Sequence, residues 1–172
     1  MPIHARARLG LSYLPQEASI FRKLSVADNV QAILELQGID ADEIANRLDA
    51  LLEDLSISHL RDAAARQPFR RRAPARRDRA RALATRPRFI LLDEPFAGID
   101  PIAVLDIQKI IGFLKEREIG VMITDHNVRE TLGICDRAYI INEGRVLASG
   151  TPDEIVYNEN VRKVYLGEHF RL

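Results

Sequence analysis

Several residue types that mark common classes of protein are scarce in this sequence. Its 172 residues contain no tryptophan and one cysteine, Cys135. A single cysteine excludes an internal disulfide framework and a site with several thiolate ligands, and it fits a reducing, cytoplasmic compartment. No apolar run approaches the roughly 18 residues of a membrane-spanning helix. Residues 1–6 lack the apolar stretch of a secretory signal, so we expect no leader there.

The sequence also lacks a net charge, since 25 Lys and Arg balance 25 Asp and Glu. The balance hides a local excess, because residues 61–88 contain 11 Arg and 2 Asp, a sum of +9. A block of like charge is typical of a solvated face, a disordered tail or a nucleic-acid-binding patch. With 47% hydrophobic residues the chain can bury a core of ordinary size, which excludes wholesale disorder.

Short apolar runs alternate with helical patterns along the chain. Strands are predicted at residues 9–14, 89–92 and 120–124, where the apolar runs are continuous. Ser25 and Asp40 are each followed three residues later by an acid, which is the pattern of a helix N-terminus. We therefore predict a helical subdomain over residues 25–66. Later patterns predict helices after Asp100, over residues 127–134 and after Thr151, and a hairpin turn at Glu143 and Gly144. Together they predict one α/β domain with a mainly parallel sheet.

Polar residues follow three of the predicted strands. Asp93 and Glu94 end a buried run, Gln16 follows the first strand, and His126 follows the strand that ends at Thr124. Ligands of open α/β sheets bind beyond the carboxyl ends of the strands. An aspartate there can hold Mg²⁺ on a nucleotide, the next acid can orient or deprotonate water, and a histidine can contact a phosphate. Taken singly, each residue has a plainer interpretation as a solvated acid, a loop amide or a surface histidine.

In their order along the chain these residues resemble the ATPase subunits of ABC transporters. Gln16 matches the family's Q-loop, Asp93 its Walker B aspartate and Glu94 its catalytic glutamate. Residues 97–100 match the D-loop, and His126 matches the switch histidine. The resemblance implies a partial P-loop NTPase fold of the ABC ATPase type, with a helical insertion, and ATP and Mg²⁺ as cofactors.

A finer resemblance is to the ATPase subunits of lipopolysaccharide-export ABC transporters. Four stretches carry it: residues 4–8, residues 14–21, residues 124–131, and residues 164–168 together with 170–172. It implies a homodimer beneath two transmembrane permease subunits, peripheral on the cytoplasmic face of the bacterial inner membrane, with no nucleic-acid partner. Phe21 and Arg22 match the groove that receives the coupling helices of those subunits.

The same resemblance implies a role for each site residue. Glu94 would polarise the attacking water, and His126 would hold the γ-phosphate. Asp93 and Gln16 would manage the Mg²⁺ shell, and Asp100 would communicate across the dimer.

Two elements of the family pattern are missing from the 172 residues. There is no GxxxxGKS/T motif, whose backbone N–H groups and lysine cradle phosphates. The family has that loop upstream of the Q-loop strand, so Met1 is expected to lie about a third of the way into the domain, and the chain by itself is expected to be inactive. The glycine-rich signature is also missing, and residues 68–79 are rich in arginine instead.

The Arg-rich segment has three interpretations. One coding string for Pro68 to Asp78 reads LSGGERRRVEI when it is started one nucleotide later, which resembles the family signature. A frameshift that closes near Arg79 would therefore explain the segment. It could instead be a nucleic-acid-binding module, although Phe69 is its single aromatic residue. A third possibility is a non-catalytic scaffold fragment that needs no ATP.

Overall fold

The computed structural model of the chain describes residues 1–16, 21, 23–64, 80 and 82–166. The Arg-rich segment 68–79 and Arg22 lie outside the described residues. The chain divides into two compact units, residues 1–124 and 125–172. The expectation of a single domain stays a prediction.

A parallel three-stranded sheet organises the first unit. Its strands are β1 (Leu11–Leu14), β2 (Phe89–Asp93) and β3 (Gly120–Thr124), in the order β1-β2-β3. Both pairings are parallel, as the alternation of strands and helices predicts. The central strand β2 buries Ile90 and Leu92. The structure therefore confirms the predicted α/β class.

β1 begins two residues later than the apolar run predicts. Gly10 has a φ of +92°, which an L-residue with a side chain rarely adopts, so the chain turns before the strand starts. The carbonyl of Gly10 accepts hydrogen bonds from the backbone N–H groups of Arg88 (2.8 Å) and Phe89 (3.0 Å). Leu9 therefore lies outside the strand, and the prediction for its position was wrong.

The two faces of the sheet differ in exposure. Side chains alternate along a strand, so Ser12, Ile90 and Leu92 share one face, and all three are buried. Tyr13 and Phe89 lie on the other face, where they are 47% and 40% exposed. This second face is therefore the more open one, and it ends at the Asp93 carboxylate.

Along the described residues of the first unit, α-helices precede, separate and follow the sheet strands. One of them was not predicted, because its six residues bury none of their side chains and so carry no apolar period. The helices are α1 (Ile3–Arg8), α2 (Val26–Glu35), α3 (Ala41–Asp54) and α4 (Pro101–Glu116). A 3₁₀ turn, Ser58–Leu60, follows α3.

The N-termini of α2 and α3 are capped by the predicted residues. Ser25 and Asp28 form a reciprocal capping box, in which each side chain accepts a hydrogen bond from the backbone N–H of the other residue (3.0 and 3.1 Å). Asp40 accepts from the backbone N–H of Glu43 at 2.8 Å. The predicted helix start is therefore confirmed, and the Glu43 carboxylate pairs with Arg47, four residues along the helix.

Apolar residues of α2 and α3 form the interior of the helical region. The predicted face of α3 is confirmed, since Leu48, Leu52 and Leu55 are buried and Leu51 is half-buried. The main buried partners in α2 are Val26, Val30 and Leu34. In α4 the buried residues are Val104, Ile107, Ile111 and Leu114.

The second unit is built on an antiparallel hairpin. Its strands β4 (Ala138–Asn142) and β5 (Arg145–Gly150) join at the predicted turn, where Glu143 and Gly144 both have positive φ. A capping box of Thr151 and Glu154 opens the next helix, as predicted. The helices are α5 (Val128–Leu132), α6 (Pro152–Tyr157) and α7 (Glu159–Val161), followed by a π-helical turn, Arg162–Leu166. Its core consists of Leu132, Ile140, Ile155, Val156 and Val161.

Replacement of Ser25 by Ala is expected to lower the free energy of unfolding by about 1 kcal/mol, because the α2 cap is lost. The hydrogen bond from Ser25 lowers the pKa of the Asp28 carboxyl. A lowered carboxyl pKa contributes stability that is present above the pKa of the unfolded chain and lost as the pH falls through the folded pKa.

The difference between the unaltered chain and Ser25→Ala should therefore shrink in acid. Urea unfolding at neutral pH and at a pH below the Asp28 pKa measures it. Ser58→Ala, which removes an exposed hydroxyl without changing a titratable group, is the matched control. A Ser25→Ala difference that does not change with pH would contradict the expectation.

Candidate functional site

The carboxyl ends of the parallel strands bring three of the predicted site residues, Gln16, Asp93 and Glu94, to one edge of the sheet. In the register, Leu14 lies opposite Leu92, and Asp93 lies opposite Thr124. Residues that follow these positions therefore share the edge where ligands bind in open α/β sheets. The structure brings Gln16 and Glu94 together there, directly beside Asp93.

Two hydroxyl groups hold the Asp93 carboxylate. Tyr13 donates from its phenol to Oδ2 at 3.1 Å, and Thr124 donates from Oγ1 to Oδ1 at 2.6 Å. Tyr13 reaches Asp93 because its cross-strand partner is Leu91, which lies on the same face two residues before Asp93. The hydrogen bond to Asp93, together with desolvation and the negative charge of Asp93, raises the pKa of Tyr13.

Glu94 is held in an uncommon backbone conformation. Its φ is +45°, in the left-handed region that costs a non-glycine residue on the order of 1 kcal/mol or more. Its backbone N–H donates to the Thr124 carbonyl at 2.7 Å, and Gln16 Nε2 donates to the carboxylate Oε2 at 2.9 Å. Phe96, 3% exposed, anchors the turn that follows. The carboxylates of the two adjacent acids are thus contacted by different side chains, Tyr13 and Thr124 for Asp93 and Gln16 for Glu94.

Asp100 and Phe21 lie elsewhere in the first unit. Asp100 directly precedes α4, and its carbonyl accepts from the backbone N–H of Val104 at 3.1 Å, within the first turn of that helix. Phe21 precedes α2, and its side chain is 52% exposed.

His126 belongs to the second unit, two residues after the end of β3. Its side chain is exposed, and Nδ1 lies 3.8 Å from the Asp125 carboxylate. That carboxylate is buried and accepts a hydrogen bond from the backbone N–H of Asn127 at 2.7 Å, so it shapes the turn that carries His126.

Two residues of the site had no predicted role, namely Tyr13 and Thr124. The signal that could have found them is the two-residue period of a strand, which puts Tyr13, Leu91 and Asp93 on one face. No local motif marks either residue, because their importance comes from strand pairing.

The residue types at this edge suit a hard divalent cation. Carboxylate, hydroxyl and amide oxygens are its preferred ligands, and here they come from Asp93, Thr124 and Gln16. Among the residues the structure describes, no group of three or more His, Cys, Asp or Glu is arranged to hold a metal. Mg²⁺ usually takes one or two carboxylates, with substrate phosphates and water completing its shell, so a site with one aspartate fits Mg²⁺ on a nucleotide.

The comparisons with known proteins agree along the whole chain. The profile of the ABC transporter family matches residues 2–97, and that of branched-chain amino acid ATP-binding cassette transporters matches residues 145–171. The lipopolysaccharide export system ATP-binding protein LptB of Escherichia coli K12 is 54% identical over 173 residues, which are 100% of this chain and 71% of that protein. LptB of Haemophilus influenzae is 51% identical, with the same coverage.

Solved structures show the same fold. The chain cbiO1 from Clostridium perfringens, part of the ABC transporter complex cbiONQ, superimposes with a TM-score of 0.81 at 30% identity, over 96% of this chain and 66% of that one. An ATP-binding cassette in its ADP conformation gives a TM-score of 0.79 at 24% identity, over 95% of this chain and 71% of that one, a likeness of fold alone. This chain thus spans about two thirds of the solved chains that it matches. The sequence profile and the relatives show that the chain belongs to the ABC transporter family of ATPases.

Proposed function

We propose that this chain is the ATP-hydrolysing motor subunit of an ABC transporter that exports lipopolysaccharide from the bacterial inner membrane. The observation that carries the hydrolytic part is the pair of adjacent carboxylates at the sheet edge. Asp93 is held by two hydroxyls, whereas Glu94 is held by Gln16 and by its backbone bond to Thr124. This difference in partners suits two roles, with Asp93 as a ligand of a cation and Glu94 as a base that accepts a proton from water.

Glu94 is the proposed general base. The amide of Gln16 orients its carboxylate, and the left-handed backbone turns the residue out of the strand direction. A carboxylate within hydrogen-bond reach of water can accept its proton as the oxygen attacks phosphorus. Phosphoryl transfer passes through a loose transition state, so positioning of the attacking water is a main contribution of the protein.

Asp93 and the amide oxygen of Gln16 are the proposed ligands of Mg²⁺. When bound, Mg²⁺ would neutralise charge on the β- and γ-phosphates. Thr124 keeps the Asp93 carboxylate oriented through its hydroxyl. His126 is proposed to contact the γ-phosphate, and Asp100 is proposed to communicate across the dimer.

The transport role rests on the relatives that carry the name of the lipopolysaccharide export system, at 54% and 51% identity. We propose a homodimer beneath two transmembrane permease subunits, with Phe21 and Arg22 in the contact and the dimer peripheral on the cytoplasmic face of the inner membrane. In the part of the chain that the structure describes, none of the helices has the length and apolarity to cross a bilayer.

The alternatives receive no support from the comparisons. The whole chain aligns with ABC ATPases, which favours a motor subunit over a nucleic-acid module or a scaffold fragment. The expected inactivity of the chain by itself likewise has no support and stays a prediction. The prediction of inactivity is based on the phosphate-binding GxxxxGKS/T motif, which the 172 residues do not contain.

Replacement of Glu94 by Gln is expected to lower kcat for ATP hydrolysis about 10²–10⁴-fold, the usual contribution of a general base. ATP binding should persist, because the neutral amide keeps the size of the side chain. Phosphate release by the chain with its transmembrane partners, and nucleotide binding by the same variant, measure the two effects. Glu116→Gln removes an exposed carboxylate at the end of α4 and is the matched control. Turnover that survives in Glu94→Gln would contradict the proposed hydrolysis.

Replacement of Asp93 by Asn is expected to lower the pKa of Tyr13, because its charged acceptor is removed. The tyrosinate absorbance of Asp93→Asn, minus that of Asp93→Asn with Tyr13→Phe, isolates this phenol in a buffer without divalent cations. The unaltered chain minus Tyr13→Phe provides the reference curve. Two superimposable titration curves would exclude the Tyr13–Asp93 contact.

A further inference from the structure

Asn29 is a buried polar residue that the proposed catalytic mechanism does not use. It lies in α2 and is 4% exposed. A buried amide without partners costs about 1–3 kcal/mol, so a residue of this kind needs a defined set of hydrogen bonds. In this structure its partners are backbone groups of the segment that precedes the helix.

The Asn29 side chain pairs with both main-chain polar groups of Phe21. Its Oδ1 accepts from the Phe21 N–H at 2.8 Å, and its Nδ2 donates to the Phe21 carbonyl at 3.1 Å. The same Nδ2 donates to the Ser25 carbonyl at 2.8 Å. Exchange of both an N–H and a C=O bond with one residue is what a neighbouring strand provides in an antiparallel ladder. The amide thus gives the Phe21 backbone the pair of hydrogen bonds that a neighbouring strand would give.

The N-terminus of α2, to which Asn29 joins Phe21, is itself held by hydrogen bonds. The capping box of Ser25 and Asp28 closes the start of α2. The first two N–H groups of the helix also have partners: that of Val26 donates to the carbonyl of Ala63 at 3.1 Å, and that of Ala27 donates to the carbonyl of Arg61 at 3.0 Å. The backbone of Phe21 is therefore tied to a helix start that has its own fixed hydrogen bonds.

The side chain of Phe21, on this anchored backbone, is 52% exposed. Leu24 is 38% exposed and donates from its backbone N–H to the Phe21 carbonyl at 3.0 Å, so the two apolar residues belong to one turn. An exposed aromatic side chain on a rigid backbone has the properties of an interface anchor, since little ordering is left to occur on binding.

We infer that Asn29 is the positioning residue that holds Phe21 ready to dock against an apolar side of a helix of the transmembrane partner. This inference rests on the proposed function for the partner, but the hold on Phe21 is a property of the chain alone. Without Asn29, the turn has to be ordered at the moment of binding. The resulting loss of affinity is expected to be several-fold, up to about tenfold.

The first experiment measures the hold on position 21 in the chain without a partner. The 172 residues contain no tryptophan, so Phe21→Trp introduces one reporter. Adding Asn29→Asp keeps the side-chain size and the acceptor but removes both donated bonds. We expect lower fluorescence anisotropy and faster acrylamide quenching of the tryptophan. Gln31→Ala removes an amide from the same helix that bonds Glu35 at 2.8 Å, and it should leave both signals unchanged.

The second experiment measures binding to the detergent-solubilised transmembrane subunits of a lipopolysaccharide exporter. Phe21→Ala and Asn29→Asp should both raise Kd, the second by up to about tenfold, and Gln31→Ala should not. Asn29→Ala repeats the test without a new charge, and circular dichroism at the assay temperature verifies that each variant is folded.

The outcomes separate the inference from the proposed function. Unchanged anisotropy in Asn29→Asp would overturn the hold on Phe21. Reduced anisotropy with unchanged Kd, in a system where Phe21→Ala binds weakly, would overturn its role in docking. An unchanged Kd in Phe21→Ala would overturn the proposed partner surface and the docking role together, and it would leave the anisotropy result and the proposed hydrolysis standing.

Discussion

The parallel register of β1, β2 and β3 is the constraint on which the candidate site depends. Parallel strands end at the same edge, so residues that are far apart in the chain and follow those strands become neighbours. Gln16 and Glu94 meet at 2.9 Å for this reason, and Thr124 reaches Asp93 because the two are partners in the register. A slip of one residue in β2 would turn Asp93 to the face opposite Tyr13 and break their contact.

Polar side chains that bond to the backbone then fix local segments within each of the two units. Ser25 and Thr151 close the starts of their helices, Asp125 shapes the turn before Asn127, and Asn29 secures Phe21. Each of these side chains satisfies backbone groups that regular structure leaves unpaired. The same kind of interaction therefore stabilises a helix in one place and presents a surface side chain in another. At Glu94 the bond runs the other way: its left-handed backbone donates an N–H to the Thr124 carbonyl, and the turn that follows contains the buried Phe96.

Much of this structure could be predicted because its causes are local. The capping boxes at Ser25 and Thr151, the hairpin turn at Glu143 and Gly144, and the buried run that forms β2 depend on neighbours within a few residues. The family pattern of Gln16, Asp93, Glu94 and His126 could likewise be read from residue order alone. What failed was also local in origin but lacked a signal. α1 buries no residue and so carries no apolar period.

The sequence by itself determined the fold class, the caps and the identity of the two adjacent acids, since each is encoded in short-range patterns of polarity and helix-start chemistry. Only the tertiary structure decided the partners of those acids. The bonds of Tyr13 and Thr124 to Asp93, of Gln16 to Glu94, and of Asn29 to Phe21 join side chains or backbone groups across strands or across the end of a helix. Their geometry depends on strand register and helix placement, which no single segment of the sequence specifies.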